Sequence, residues 1–147
     1  MEKIISNSPL ETIEIGKKIA KNLNKGDIVV LSGDLGVGKT KLTEGILTYF
    51  ELENEISSPT FTIVNEYNTA NLNIYHFDVY RLEEIEEFLA IGGEEYFEKG
   101  ACIIEWGEMI EKLLPKRYTK ISIERSLENE NIRILKIENI NKNRKSV

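Results

Sequence analysis

The sequence is short of the residues from which covalent and metal-based scaffolds are built. It has one cysteine, Cys102, so no intramolecular disulfide can form. The apolar run Ala101–Ile104 around that cysteine reads as core in a reducing compartment. It has one histidine, His76, which excludes a metal cluster built on histidines. Set beside Phe77 in a strand-like run, that histidine reads as structural rather than as a catalytic base. Apolar stretches run only a few residues, too short to span a bilayer, and Met1-Glu2-Lys3-Ile4-Ile5 lacks the long apolar segment of a secretory signal. A cytoplasmic protein without membrane contact is expected. Basic excess is missing too: 19 Lys and Arg stand against 25 Asp and Glu, a net charge of −6. The one basic cluster is Lys142-Asn143-Arg144-Lys145, so direct, unaided binding of nucleic acid is not expected. No repeat, low-complexity stretch or Pro/Gly/Ser-rich linker divides the 147 residues. One domain over residues 1–140 is expected, followed by a polar tail over 141–147.

What is present is an alternation of strand-like and helix-like patterns. Ile4 and Ile5 suggest a short first strand. Ser8-Pro9-Leu10-Glu11 then reads as a helix start, with Ser8 as cap, Pro9 in the first turn and Glu11 closing a capping box. Ile13, Ile15, Ile19, Ala20 and Leu23 follow at near-helical spacing, and Gly26 reads as the stop. Ile28-Val29-Val30-Leu31 is short, apolar and β-branched, the pattern of a strand buried on both faces. A helix is expected from about Thr40 to Phe50, strands over Phe61–Val64 and Ile74–Phe77, and a helix over Glu83–Ala90 with Ile85, Phe88 and Leu89 inward. Ala101–Ile104 reads as another buried strand. Lys120–Glu124 and Ile132–Ile137 alternate as an antiparallel pair. The fold class expected is α/β: a P-loop NTPase-type three-layer sandwich with a mixed central sheet and a C-terminal antiparallel strand pair.

The chemistry is concentrated in Gly33-Asp34-Leu35-Gly36-Val37-Gly38-Lys39-Thr40, which matches G-x-x-x-x-G-K-S/T. Such a match arises by accident in roughly 0.5% of chains of this length, so the pattern carries weight by itself. The glycines let the chain curl with its N–H groups inward, and the helix that follows adds its unpaired N–H groups and the positive end of its dipole. Lys39 is placed to bridge β- and γ-phosphates, and the Thr40 hydroxyl to ligate Mg²⁺. Two carboxylates, Asp78 and Glu105, end strand-like runs, where ligands of open α/β sheets bind. One is expected to hold Mg²⁺ and the other to orient or deprotonate water. Ser57-Ser58-Pro59-Thr60 is either an ordinary turn or a nucleotide-sensing loop whose Thr60 reaches the metal or γ-phosphate. Asn24-Lys25-Gly26-Asp27 mimics a guanine-reading motif, but it precedes the glycine loop and follows a helix, which favours ATP over GTP.

Beyond these single features, Gly33–Thr40, Ser58-Pro-Thr-Phe61, Tyr75-His-Phe-Asp-Val-Tyr-Arg-Leu82 and Ile103-Ile-Glu-Trp106 occur in order, and together they resemble the TsaE (YjeE) family of bacterial P-loop ATPases over nearly the whole chain. The resemblance implies an ATP- and Mg²⁺-dependent protein acting with TsaB and TsaD. That set installs threonylcarbamoyl on the tRNA adenosine next to the anticodon, and this subunit would reach tRNA only through its partners. The resemblance also implies Thr40 and Glu105 as Mg²⁺ ligands, Asp78 as a second acidic residue, Thr60 in a switch-like loop and Thr12 near the base or ribose. Lys41 departs from the family, which commonly has a hydroxyl residue there; its backbone N–H and charge are candidates to serve the α-phosphate instead. A small-molecule kinase and a nucleotide-gated binding module with negligible turnover are the alternatives. The acidic segment after Asp78 offers Arg81 but no basic lid, which counts against the kinase.

Overall fold

The run Ile28-Val29-Val30-Leu31 has no polar face to present to water. In the computed structural model of the chain, which describes residues 1–34, 36–55, 64–80 and 85–142, it forms β2 (Ile28–Ser32) in the middle of a seven-stranded sheet. The other strands are β1 (Glu2–Ser6), β3 (Val64–Asn68), β4 (Asn73–Asp78), β5 (Ala101–Glu105), β6 (Arg117–Arg125) and β7 (Arg133–Asn141). Their order is β1-β7-β6-β2-β5-β4-β3. β6, β2, β5 and β4 run parallel, and antiparallel neighbours close both sides.

Period-two alternation sorts the side chains of β2 between two cores. Val29 and Leu31 pack with Leu42, Ile46, Leu47 and Ile15 of α2 (Lys39–Tyr49) and α1 (Pro9–Lys21). Ile28 and Val30 face the other way, toward Phe77, Ile104, Phe88 of α3 (Ile85–Ala90) and Ile110. That second layer is thin, made of α3 and the 3-10 segments Gly93–Glu98 and Gly107–Leu113. Cys102 lies fully buried in it, and burial pushes its thiol up to about 12, so it serves as a small apolar residue.

Several local expectations shift. Ser8 caps α1 by accepting from the Glu11 N–H at 3.1 Å, but the Glu11 carboxylate returns to the N–H of Asn7 rather than to that of Ser8. The helix ends at Lys21, with Asn22 as its cap, so Gly26 is not its stop. Gly26 instead takes a φ of +93° in the turn before β2, where Asp27 accepts from the Asn24 N–H and Gly26 donates to Gly100. The residues of the guanine-like pattern are thus spent on a turn at the N-terminal end of the parallel strands. Leu89 is exposed, because the short α3 buries only Phe88. The closing pair is longer than the alternation marks, since its polar ends still pair; Asn141 belongs to β7, and the Lys142 ammonium meets the carbonyls of Leu114 and Glu111. Leu35, the Ser57–Thr60 loop, the Phe61–Ile63 part of an expected strand, Arg81, Glu83 and the tail from 143 lie outside the described residues.

α1 and α2 meet backbone to backbone. A Cβ on Gly45 would stand 2.1 Å from the Ile13 carbonyl oxygen, and one on Gly16 would stand 2.4 Å from that of Leu42. Alanine at a free helical position is worth about 1 kcal/mol over glycine. Here the clash outweighs that gain. Gly45→Ala should therefore lower unfolding free energy by about 1–3 kcal/mol in urea titrations, the usual cost of overpacking.

Candidate functional site

Parallel strands end together, and β2, β5 and β4 bring their last residues to one edge. Leu31 is opposite Glu105, and Glu105 is opposite Asp78. The chain leaves β2 at Ser32, turns at Gly33, Gly36 and Gly38 and enters α2 at Lys39. The curl needs glycine: Gly33, Gly36 and Gly38 hold φ of +145°, +76° and +125°. At Gly33 a Cβ would also lie 2.6 Å from the Ile123 carbonyl oxygen of β6.

The first bond of α2 runs from the Leu42 N–H to Gly38 O. The N–H groups of Gly38, Lys39, Thr40 and Lys41 donate to no backbone carbonyl among the described residues. An unpaired N–H fringe at the positive end of a helix dipole is an anion site. Lys39 lies across it and is almost fully buried, its ammonium donating to Gly33 O at 2.7 Å and standing 3.6 Å from the centre of the Trp106 ring. Burial pushes its pKa down, an effect that the carboxylates of Glu105, Glu108, Asp78 and Asp34 oppose. Thr40 is exposed beside the fringe, and Lys41 projects outward to pair with Glu44 at 3.2 Å.

The acidic side of the site is more structured than strand ends alone would be. Glu105 is buried, and its Oε2 lies 2.8 Å from His76 Nε2. With Glu105 ionised, Nε2 carries the proton; Nδ1 of the same ring is buried and has no partner among the described residues. Asp78 accepts from the Tyr80 N–H at 3.0 Å, and the Val79 N–H donates to Glu105 O. Trp106 follows Glu105 with φ of +63°, a left-handed conformation that a bulky residue adopts only when its surroundings impose it. Its N–H donates to Leu31 O, Tyr80 packs on its ring at 4.7 Å, and a Cβ on the following Gly107 would strike Val30 at 2.7 Å. This turn is what lays the indole under Lys39.

Of the residues expected at the site, Gly33, Asp34, Gly36, Val37, Gly38, Lys39, Thr40, Lys41, Asp78 and Glu105 gather at this edge, while Leu35 and Thr60 lie outside the described residues. Thr12 sits at the start of α1 near the same end, since Ser6 is opposite Arg133, whose guanidinium reaches Val37 O. Its hydroxyl is buried and taken up by Ser6 Oγ at 2.7 Å and Ser8 O at 3.3 Å. Sequence reasoning missed the His76 bond to Glu105, the Lys39–Trp106 contact, Glu108, and Arg125 and Arg133. The adjacency of Glu105 and Trp106 was the one usable signal; the arginines gave none. A separate groove of about 900 Å³, lined by Ile19, Leu23, Ile28, Tyr118 and Ile140, opens at the far end of the sheet and contains no residue of the glycine loop.

A glycine loop between a buried strand and a helix, with carboxylates on two neighbouring strand ends, narrows the comparison with known proteins. Residues 6–134 match the family model described as threonylcarbamoyl adenosine biosynthesis protein TsaE. The chain belongs to the TsaE family. It is 42% identical to the tRNA threonylcarbamoyladenosine biosynthesis protein TsaE of Bacillus subtilis, across 84% of this chain and 77% of that one. It is 38% identical to the protein of the same name from Haemophilus influenzae, across 97% and 96%. The crystal structure of Bacillus subtilis YdiB superposes with a TM-score of 0.73 at 33% identity, covering 97% of this chain and 86% of that one. The TsaE fold is thus the three-layer α/β arrangement expected from the strand and helix pattern. Among the described residues no helix is long and apolar enough to cross a membrane.

The His76–Glu105 bond has a direct test. Without its donor, Glu105 is a buried carboxylate short of a partner, which costs about 1–3 kcal/mol. His76→Ala and His76→Asn should each lose stability of that order at neutral pH in urea unfolding, because Asn carries its amide where Nδ1 sits. Glutamine places its Nε2 near that of histidine, so His76→Gln should recover most of the loss.

Proposed function

We propose that this chain is the ATP-binding and ATP-hydrolysing subunit needed to place threonylcarbamoyl on the tRNA adenosine beside the anticodon, working with TsaB and TsaD in the cytoplasm. The observation that carries the reading is the N–H fringe of Gly38–Lys41, which meets no backbone carbonyl among the described residues, with Lys39 beside it and Glu105 and Asp78 on neighbouring strand ends. Membership of the TsaE family and the names of its curated relatives support the tRNA-modifying role. The net charge of −6 supports contact with tRNA through partners rather than directly.

The residues present fit Mg²⁺-ATP. Free N–H groups and a buried ammonium suit phosphate oxygens, and among the described residues that ammonium bonds a carbonyl and lies on an indole face, contacts that a phosphate outcompetes. Among the described residues no group of three or more His, Cys, Asp or Glu forms a cage for a metal. Mg²⁺ on a nucleotide needs only one or two protein ligands, and we assign that part to Thr40 and Glu105, whose oxygens suit it. Bound Mg²⁺ would neutralise charge on the phosphate oxygens.

The chain's own residues then divide the work. The fringe and Lys39 grip the phosphates and stabilise charge that grows on them. His76 keeps the Glu105 carboxylate turned toward the site. Asp78, tied by its other oxygen to the Tyr80 N–H, is the second carboxylate for positioning water. By the family resemblance we assign Thr60 to nucleotide sensing, Thr12 to the base or ribose side and the Lys41 N–H to the α-phosphate.

Lys39→Ala should abolish measurable Mg²⁺-ATP binding in calorimetry. Glu105→Gln should cut phosphate release in the presence of TsaB and TsaD by about 10²–10³-fold, the effect of removing a major electrostatic group. Wild-type turnover in Glu105→Gln would remove that residue from the chemistry. Phosphate appearing on a small-molecule acceptor, with no effect of the partners, would favour a kinase instead.

A further inference from the structure

The C-terminal hairpin reaches the glycine loop from behind. β6 ends and β7 begins at the register pair Arg125 and Arg133, beside Gly36 and Val37. Arg133 Nε donates to Val37 O at 2.7 Å, and Arg125 Nη2 donates to Gly36 O at 3.1 Å. Arg133 is itself fixed, its Nη1 donating to Ile132 O at 3.3 Å and to Glu130 O. The Ile123 carbonyl of the same hairpin backs Gly33. Two arginines of the hairpin thus hold carbonyls of the loop, and its backbone at Ile123 leaves no room for a side chain at Gly33.

A peptide plane points its C=O and N–H in opposite directions. A donor that holds the Val37 carbonyl on the hairpin side therefore aims the Gly38 N–H to the other side. Val37 O is also the carbonyl that the Lys41 N–H would take if α2 extended one residue further. With Arg133 on that carbonyl, α2 begins with the Leu42 bond to Gly38, and the Lys41 N–H meets no backbone carbonyl among the described residues. A guanidinium suits the task because its charge is permanent and its fork bonds several carbonyls at once.

We propose that Arg133, seconded by the exposed Arg125, is a positioning residue for nucleotide binding: the two hold the Val37 and Gly36 carbonyls on the hairpin side so that the N–H fringe is set before the phosphates arrive. Such preorganisation lowers the ordering cost of binding. The proposal rests on the reading of residues 33–40 as a phosphate site, and it gives the hairpin a part in that site.

The test is calorimetric titration of the full chain with Mg²⁺-ATP, paired with melting curves taken without nucleotide. Arg133→Ala should weaken affinity roughly ten- to a hundredfold, the range for losing a charged hydrogen bond. Arg133→Lys should fall between, since it keeps the charge but not the fork, and Arg125→Ala should lose a few-fold. A purely structural role would lower the melting temperature of Arg133→Ala and leave the affinity of the folded protein unchanged; that result overturns the proposal. A mere charge effect would leave Arg133→Lys at wild-type affinity, which also overturns it. If Arg133→Ala does not fold, Arg133→Lys and Arg125→Ala decide, and wild-type affinity in both rejects the proposal. Lys39→Ala separates the two readings: binding lost there but intact in the arginine variants sinks the clamp alone. Binding intact in Lys39→Ala sinks the phosphate site.

Discussion

A helix whose first N–H groups have no acceptor is an unfinished structure, and most of this molecule is arranged to keep it so. Backbone N–H groups left unpaired away from water are costly, and natural chains pair nearly all of them. Here, among the described residues, the fringe at Gly38–Lys41 meets no backbone carbonyl at the end of a parallel sheet. Glycine conformations curl the loop away from it, Arg133 removes a competing carbonyl, and Lys39 supplies a cation beside it. The fully buried β2 provides the rigid stem, and backbone contact of Gly16 and Gly45 ties α2 to α1. Each of these features loses its reason if the fringe is closed by protein.

The electrostatics follow the same constraint. The chain is acidic, and the carboxylates of Glu105, Glu108, Asp78 and Asp34 act on Lys39, offsetting part of the effect of its burial. N–H groups and an ammonium beside carboxylate oxygens suit an anion that carries its own cation. The left-handed turn at Trp106 joins the two halves, since it ends the strand of Glu105 and places an aromatic face under the lysine. In this account the subunit handles the nucleotide and leaves tRNA to its partners.

Local features were readable from the sequence because their causes are local. The glycine pattern at Gly33–Thr40, the β-branched run at Ile28–Leu31 and the Ser8-Pro9 helix start each need only neighbouring residues. The strand ends at Asp78 and Glu105 were visible for the same reason, as hydrophobic runs halted by charge. Gly26 misled because a glycine after a helical pattern fits either a stop or a turn, and only its φ of +93° and its bond to Gly100 decide. The ends of β6 and β7 were trimmed because polar residues there keep strand pairing without keeping alternation. What could not be read were contacts across the fold. Arg133 lies 96 residues from Val37 and Arg125 lies 89 from Gly36, and Glu105 is 29 from His76. No spacing rule connects such pairs, so an arginine in a polar hairpin and a histidine in a strand looked ordinary.

The central claim is that this edge of the sheet recognises phosphates. Trp106 is the sole tryptophan and lies under the Lys39 ammonium, so its emission reports on that lysine. The most direct measurement is a tryptophan fluorescence titration of the full chain with ATP, ADP and adenosine in the presence of Mg²⁺. The account predicts a saturable change with ATP and with ADP and none with adenosine, because the phosphates draw Lys39 away from the ring. An equal response to adenosine, or no response to ATP, would contradict it.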